Sequence, residues 1–133
     1  MKENGRDMTS SFVAKAGAAQ EFEDLECFVV VLAEEPDGDG ARLEIQRSLE
    51  DDPQDVALGL ATYCLCTQQG ATCYGGVTSW RVRDGCLTLH LDDRAADTLG
   101  LDHEIAIELQ LPIATIEAVA AGIKRALEMP PSA

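Results

Sequence analysis

Thr78-Ser79-Trp80-Arg81-Val82-Arg83-Asp84-Gly85-Cys86-Leu87-Thr88-Leu89-His90-Leu91 decides the fold. Asp84-Gly85 is the dipeptide of a two-residue type I′ turn, which needs positive φ at both positions and matches the twist of its flanking strands. Such a turn fixes the register. Counting outward pairs Val82 with Leu87, Trp80 with Leu89 and Thr78 with Leu91 on one face, and Arg81 with Thr88 and Ser79 with His90 on the other. The first set is core and the second is wet. Trp80 is therefore expected to be buried against Leu89 and a C-terminal helix, with Arg81 and His90 exposed.

Downstream, Asp92 to Leu99 reads as a short helix with Asp92 as N-cap and Gly100 just past its end. From His103 to Leu111, Ile105, Ile107, Leu109 and Leu111 alternate with Glu104, Glu108 and Gln110, the pattern of a half-buried strand. Pro112 opens a helix with Ile113, Ile116, Val119 or Ala120, Ile123 and Leu127 in one stripe, and Glu117, Lys124 and Glu128 opposite. Residues 129–133 form a tail.

Upstream, Leu60 to Thr67 reads as a strand, and glycines 70, 75 and 76 break up the link to the next one, with Gly75-Gly76 as a bulge or bend. Asp51 to Gly59 is a loop or short helix. Cys27 to Ala33 is continuously apolar, as a strand buried on both faces would be. After the turn residues Glu34 to Gly40, Ala41 to Leu49 returns with Leu43 and Ile45 inward and Glu44 and Gln46 outward, completing a hairpin. Phe12 to Ala18 is a candidate first strand. The sum is an α+β single domain over residues 12–128, preceded by a polar extension (1–11). It has a mostly antiparallel β-sheet of about six or seven strands, a short helix, and a C-terminal amphipathic helix packed on one face.

The chain has 133 residues and 14.3 kDa, one domain's worth, and its 46% apolar residues suffice for a core. Ten basic against 24 acidic residues give a net charge of −14, which argues against nucleic-acid or anionic-membrane binding. The longest apolar stretch, Cys27 to Ala33, is too short to span a bilayer, and Met1 to Ser11 lacks an apolar signal-peptide segment. A cytoplasmic location is expected.

Cys27, Cys64, Cys66, Cys73 and Cys86 are expected to be reduced packing residues. Cys64-x-Cys66 with Cys73 departs from structural zinc spacing, and Asp37-Gly38-Asp39-Gly40 lacks the later ligands of a calcium loop, so no metal or cofactor is expected. His90 and His103 come without a nucleophile at a recognisable spacing, and no glycine-rich loop opens a helix, so a non-enzyme is expected. The alternatives are a small cysteine-rich metal-binding protein or enzyme, or a structural interaction domain. A homo-oligomer stays open.

Acidity carries the functional information. Between Glu21 and Asp55 lie 13 acidic residues against Arg42 and Arg47, a net −11. Glu21, Glu23, Asp24 and Glu26 precede one strand of the Cys27–Leu49 hairpin, and Glu50, Asp51, Asp52 and Asp55 follow the other. Antiparallel pairing puts both groups at one end, where self-repulsion favours a cationic partner.

The central stretch resembles the immunity protein 10 family. The residues that carry the likeness are Gln46-Arg47-Ser48-Leu49, Gln54-Asp55, Leu58-Gly59, Tyr63 and Tyr74-Gly75-Gly76-Val77. The Asp-Gly hairpin, Leu99-Gly100-Leu101 and Glu104-Ile105 follow in order, so the likeness spans residues 12–127. The resemblance implies a small α+β protein without catalytic residues that binds and neutralises a cognate toxin of a bacterial polymorphic toxin system. Gln46, Arg47, Gln54, Asp55, Tyr63, Tyr74 and Gly75 are carried over as structural or binding residues. Together with the charge, this points to a basic toxin domain as partner.

Arg47 shares the core-facing parity of Ile45, and a buried guanidinium needs an acceptor. Asp55 is the expected partner. Unfolding free energies of Arg47→Met, Asp55→Asn and the double variant should then be non-additive, the double losing less than the sum; simple additivity would show that the two side chains are uncoupled.

Overall fold

The computed structural model describes residues 11–37, 40–48 and 62–128. Among the described residues, nine strands divide between two sheets. β1 (Phe12–Ala14), β7 (Val77–Arg83), β8 (Cys86–Leu91) and β9 (Glu104–Leu109) form one, in the order β1-β9-β8-β7. β2 (Ala16–Phe22), β3 (Cys27–Ala33), β4 (Arg42–Ser48), β5 (Cys64–Thr67) and β6 (Thr72–Tyr74) form the other, in sequence order. Helix α1 (Asp93–Leu99) links β8 to β9, and α2 (Ile113–Glu128) ends the described chain. All pairings are antiparallel except β1 with β9.

The Asp84-Gly85 turn has positive φ at both residues, 53° and 72°, and the register that it sets holds from Arg83–Cys86 through Ser79–His90. Beyond that a bulge intervenes, and Val77, not Thr78, faces Leu91. An extra residue there lets the strand bend away from its partner as it leaves the sheet. Trp80 is half-buried rather than buried: its indole N–H donates to the Glu128 carboxylate at the end of α2, 3.2 Å away. Arg81 is exposed as expected, and His90 is half-exposed.

Phe12 to Ala18, expected as one strand, is two. The chain switches sheets at Lys15, whose N–H donates to the Ala33 carbonyl at 2.9 Å. β3 also differs from expectation, because Phe28, Val30 and Leu32 enter the core and Ala33 is buried at its end, while Cys27, Val29 and Val31 point away from the core, half-buried. One core collects these residues with Leu43, Ile45 and Leu65 of the five-stranded sheet, Leu87, Leu89, Ile105 and Ile107 of the other, and both helices. In α1, Asp92 caps the N-terminus by accepting from the Ala95 N–H at 2.7 Å, and Gly100 closes the C-terminus in the left-handed region. In α2 the buried line is Val119, Gly122, Ile123 and Ala126, whereas Ile113, expected in the stripe, is 76% exposed. Gly122 lets the helix lie close on β2, since a Cβ there would come 2.7 Å from the Ala19 Cβ.

The crossing between the sheets runs through Gly75-Gly76. The Val77 N–H donates to the Tyr63 hydroxyl (2.9 Å) and the Gly75 N–H to the Tyr63 carbonyl (3.0 Å), while the Gly76 carbonyl accepts from the Asp92 N–H (2.9 Å). Gly76 has φ +104°, and a Cβ on it would fall 2.4 Å from the Ala95 Cβ. Gly70 also has positive φ, +83°, but open space around it. Urea denaturation should therefore give a loss of about 1 kcal/mol for Gly70→Ala, from backbone strain alone. Gly76→Ala should lose a further ~1–3 kcal/mol, because the added methyl must displace α1. Equal losses would mean that the crossing tolerates a side chain.

Candidate functional site

The acidic residues that precede β3 sit on a tight turn. Strands β2 and β3 pair down to Phe22–Cys27 and are joined by one turn of 3-10 helix, Glu23–Leu25. Glu26 closes it in the left-handed region at φ 51°, its N–H donating to the Glu23 carbonyl at 3.1 Å. Glu23, Asp24 and Glu26 are exposed there. A non-glycine residue in that region is strained, and the surrounding hairpin must hold it.

Glu21 does not join them. It faces Phe28 across the ladder, and its carboxylate accepts from the Arg125 guanidinium of α2 at 2.6 Å. That guanidinium also lies over the Phe28 ring, 4.4 Å from its centroid. Glu21 thus ties the C-terminal helix to the sheet. The second acidic group, Glu50, Asp51, Asp52 and Asp55, lies outside the described residues, as does Gln54. The β3–β4 register pairs Cys27 with Ser48, so the turn lies beside the last described residue before that group.

The carried-over residues serve different ends. Arg47 is 3% exposed on the core face of β4, as its parity predicts, and donates to the Ala126 carbonyl of α2 at 3.4 Å. Tyr63 is buried and clamps the crossing between the sheets. Gly75, at φ +72°, starts that crossing. Gln46 points outward and donates to Glu44 at 3.0 Å, and Tyr74 is 46% exposed on the same outward side. Arg94 is a residue that sequence reasoning missed. It donates to the Cys73 sulfur (3.2 Å) and the Tyr74 carbonyl (2.9 Å), joining α1 to β6. A cation in the first turn of a helix opposes the helix dipole, which was the available signal.

Both histidines contact carboxylates on open surface. His90 lies between Ser79 (3.0 Å) and Glu104 (2.9 Å), and His103 meets Asp93 at 2.7 Å. The His90 and Glu104 side chains are 42% and 62% exposed, so bulk water screens the pair and nothing desolvates a reacting group there. The five thiols are free, and among the described residues no group of three or more histidine, cysteine or carboxylate side chains is arranged to hold a metal. Cys64 and Cys66 share the outward face of β5 with sulfurs 3.9 Å apart. Burial, then the adjacent Cys64 and Glu44, push the Cys66 thiol up to about 12. A thiol held protonated is a poor nucleophile and a poor metal ligand. No described helix is long and apolar enough to cross a membrane.

Compared with known proteins, residues 13–117 match the family model described as Immunity protein 10. The match runs from β1 into the first turns of α2 and takes in the Tyr63 clamp, the Gly75-Gly76 crossing and the Asp84-Gly85 hairpin. No curated protein and no solved structure matches the chain.

The Cys66 thiol also implies a pH dependence. Its folded value, about 12, exceeds the ordinary 9.0, so above 9 the unfolded chain releases a proton that the folded chain keeps. Its contribution to stability is complete below 9 and is lost as pH rises toward 12. Thermal melts across this alkaline range should fall less steeply for Cys66→Ser than for the parent chain. Parallel curves would show that Cys66 titrates normally.

Proposed function

The chain belongs to the immunity protein 10 family, and from that premise we propose that it binds a cognate toxin domain and neutralises it through its acidic β2–β3 turn. The observation that supports this most is the exposed trio Glu23, Asp24 and Glu26, held on a strained turn that continues directly into β3. Glu50, Asp51, Asp52 and Asp55 follow Ser48, which is paired with Cys27 at the same end of the hairpin. The preferred partner is a basic toxin, as expected of one that acts on nucleic acid, because phosphate contacts need Lys and Arg. Carboxylates can occupy such a cleft where phosphates would lie. The long-range field of a −14 protein also raises the rate at which a basic partner is captured. On this reading the protein acts by occlusion, in the cytoplasm, without catalysis or cofactor.

Rim charges act mainly on encounter. Replacing Asp24, Glu26, Asp51 and Asp52 by Asn or Gln should slow association with the toxin encoded beside this gene by about tenfold or more in ~0.1 M salt. The difference should shrink near ~1 M, where the Debye length is about 3 Å. Protection of cells expressing that toxin should weaken in parallel. Unchanged association rates with full protection would place the contact elsewhere.

A further inference from the structure

The two sheets treat their outward faces differently. On the four-stranded sheet the outward positions are mostly polar, with Ser79, Arg81, Thr88, His90, Glu104 and Glu108 beside Val13, Cys86 and Ala106. That is the ordinary pattern for an antiparallel sheet with one solvated side. On the five-stranded sheet the outward ladders run otherwise. One row is Gln20, Val29, Gln46, Cys64 and Tyr74; the next is Ala18, Val31, Glu44, Cys66 and Thr72. Phe22 and Cys27 begin a third, beside the acidic turn.

Its few charges cancel. Arg42 lies 3.1 Å from the Glu44 carboxylate, which also accepts from Gln46. Among the described residues, no helix lies on this face. α2 packs on the opposite side through Ala19, Phe28 and Val30. Two depressions mark the surface, one of about 320 Å³ bordered by Ala16, Ala18, Val31 and Pro36, the other of about 140 Å³ bordered by Cys27, Gln46, Cys64 and Tyr74. Phe22 and Tyr74 remain 37% and 46% exposed.

We propose that this outward face, where Val29 and Val31 on one side and Cys64 and Cys66 on the other flank the internally neutralised Arg42, Glu44 and Gln46 of β4, with Phe22 and Tyr74 at its margins, is the low-charge centre of the toxin interface, and that the Glu23–Glu26 turn is its charged rim. The inference rests on the immunity reading above and adds to it the surface that holds the toxin once captured. Interfaces share this anatomy in part, a centre of low net charge within a charged rim. The rim also selects the occupant. A second copy docking on this face would bring two acidic turns and two −14 chains together, whereas a toxin with an apolar patch bordered by Lys and Arg matches centre and rim at once.

Thiol footprinting tests this with the residues already present. The chain, alone and mixed with the toxin domain encoded beside its gene, is treated with iodoacetamide in mildly alkaline buffer, and labelling is followed by mass spectrometry. Cys64 should be labelled at least about tenfold more slowly in the complex, while Cys86, outward on the other sheet, should be unchanged; Cys66, held protonated, is too unreactive to serve as a probe. In a second arm, Val31→Glu should raise the dissociation rate about tenfold or more with little change in association, and Arg81→Glu should not, each variant first shown to be folded by circular dichroism. A complex that forms with Cys64 still freely labelled overturns the proposed face and leaves the immunity reading standing. Protection of Cys64 in the chain alone, growing with its concentration, overturns the choice of toxin over a second copy. If no complex forms at all, the immunity reading fails and this inference with it.

Discussion

The structure depends on one close approach, where Gly76 passes beneath α1 with no room for a side chain. There the chain leaves the five-stranded sheet and enters the four-stranded one. Three backbone groups of that passage are answered locally, the Gly75 and Val77 N–H groups by Tyr63 from one sheet and the Gly76 carbonyl by Asp92 at the start of α1. Asp92 does double duty, since its side chain caps the same helix whose Ala95 closes over the glycine. Arg94 adds a third tie back to β6. Sheet, crossing and helix are thus one mechanical unit, and it lies within the stretch that matches the family model. Tyr63, Gly75 and Gly76 are there to place two sheets relative to each other, and the surfaces that meet a partner inherit that placement.

On the proposed reading, binding divides into two physical tasks carried by adjoining surfaces. The acidic turn works at distance, through a field that salt can screen. The outward face of β3, β4 and β5 works in contact, where apolar area and aromatic margins determine how long a partner stays. Glu21 shows why counting carboxylates misleads. It belongs to the acidic run by sequence, yet one step of strand parity turns it to the helix side, where it pairs with Arg125. Its charge still contributes to the overall field, but its side chain is committed to holding α2.

The hairpin around Asp84-Gly85 was legible because a two-residue turn of that type admits a single register, and Asp92 and Gly100 mark the ends of α1 by their cap chemistry. The switch of sheets at Lys15 was not legible. Phe12 to Ala18 is apolar apart from Lys15 itself, and periodicity says nothing about which sheet a strand joins. Cys27 to Ala33 shows a subtler limit. A strand apolar on both sides is the signature of double burial, and here the same composition accompanies an outward side with no helix over it among the described residues. Sequence recorded that Val29 and Val31 suit a dry environment, without recording whether this chain or another supplies it. Ile113 fell outside the buried stripe because that stripe begins a turn later, at Ile116 and Val119.

The parallel pairing of β1 with β9 has a consequence for how the molecule assembles. Strands β2 to β4 are joined by local hairpins, which close quickly because their loops are short. Phe12, by contrast, lies beside Ile107, and that contact cannot exist until nearly the whole chain has been made. At translation rates of about 5–20 residues per second, β1 waits several seconds or more after leaving the ribosome before its neighbour in the sheet emerges. The five-stranded sheet, with its acidic turn, can assemble during that interval. The first strand in the sequence is among the last to find its place.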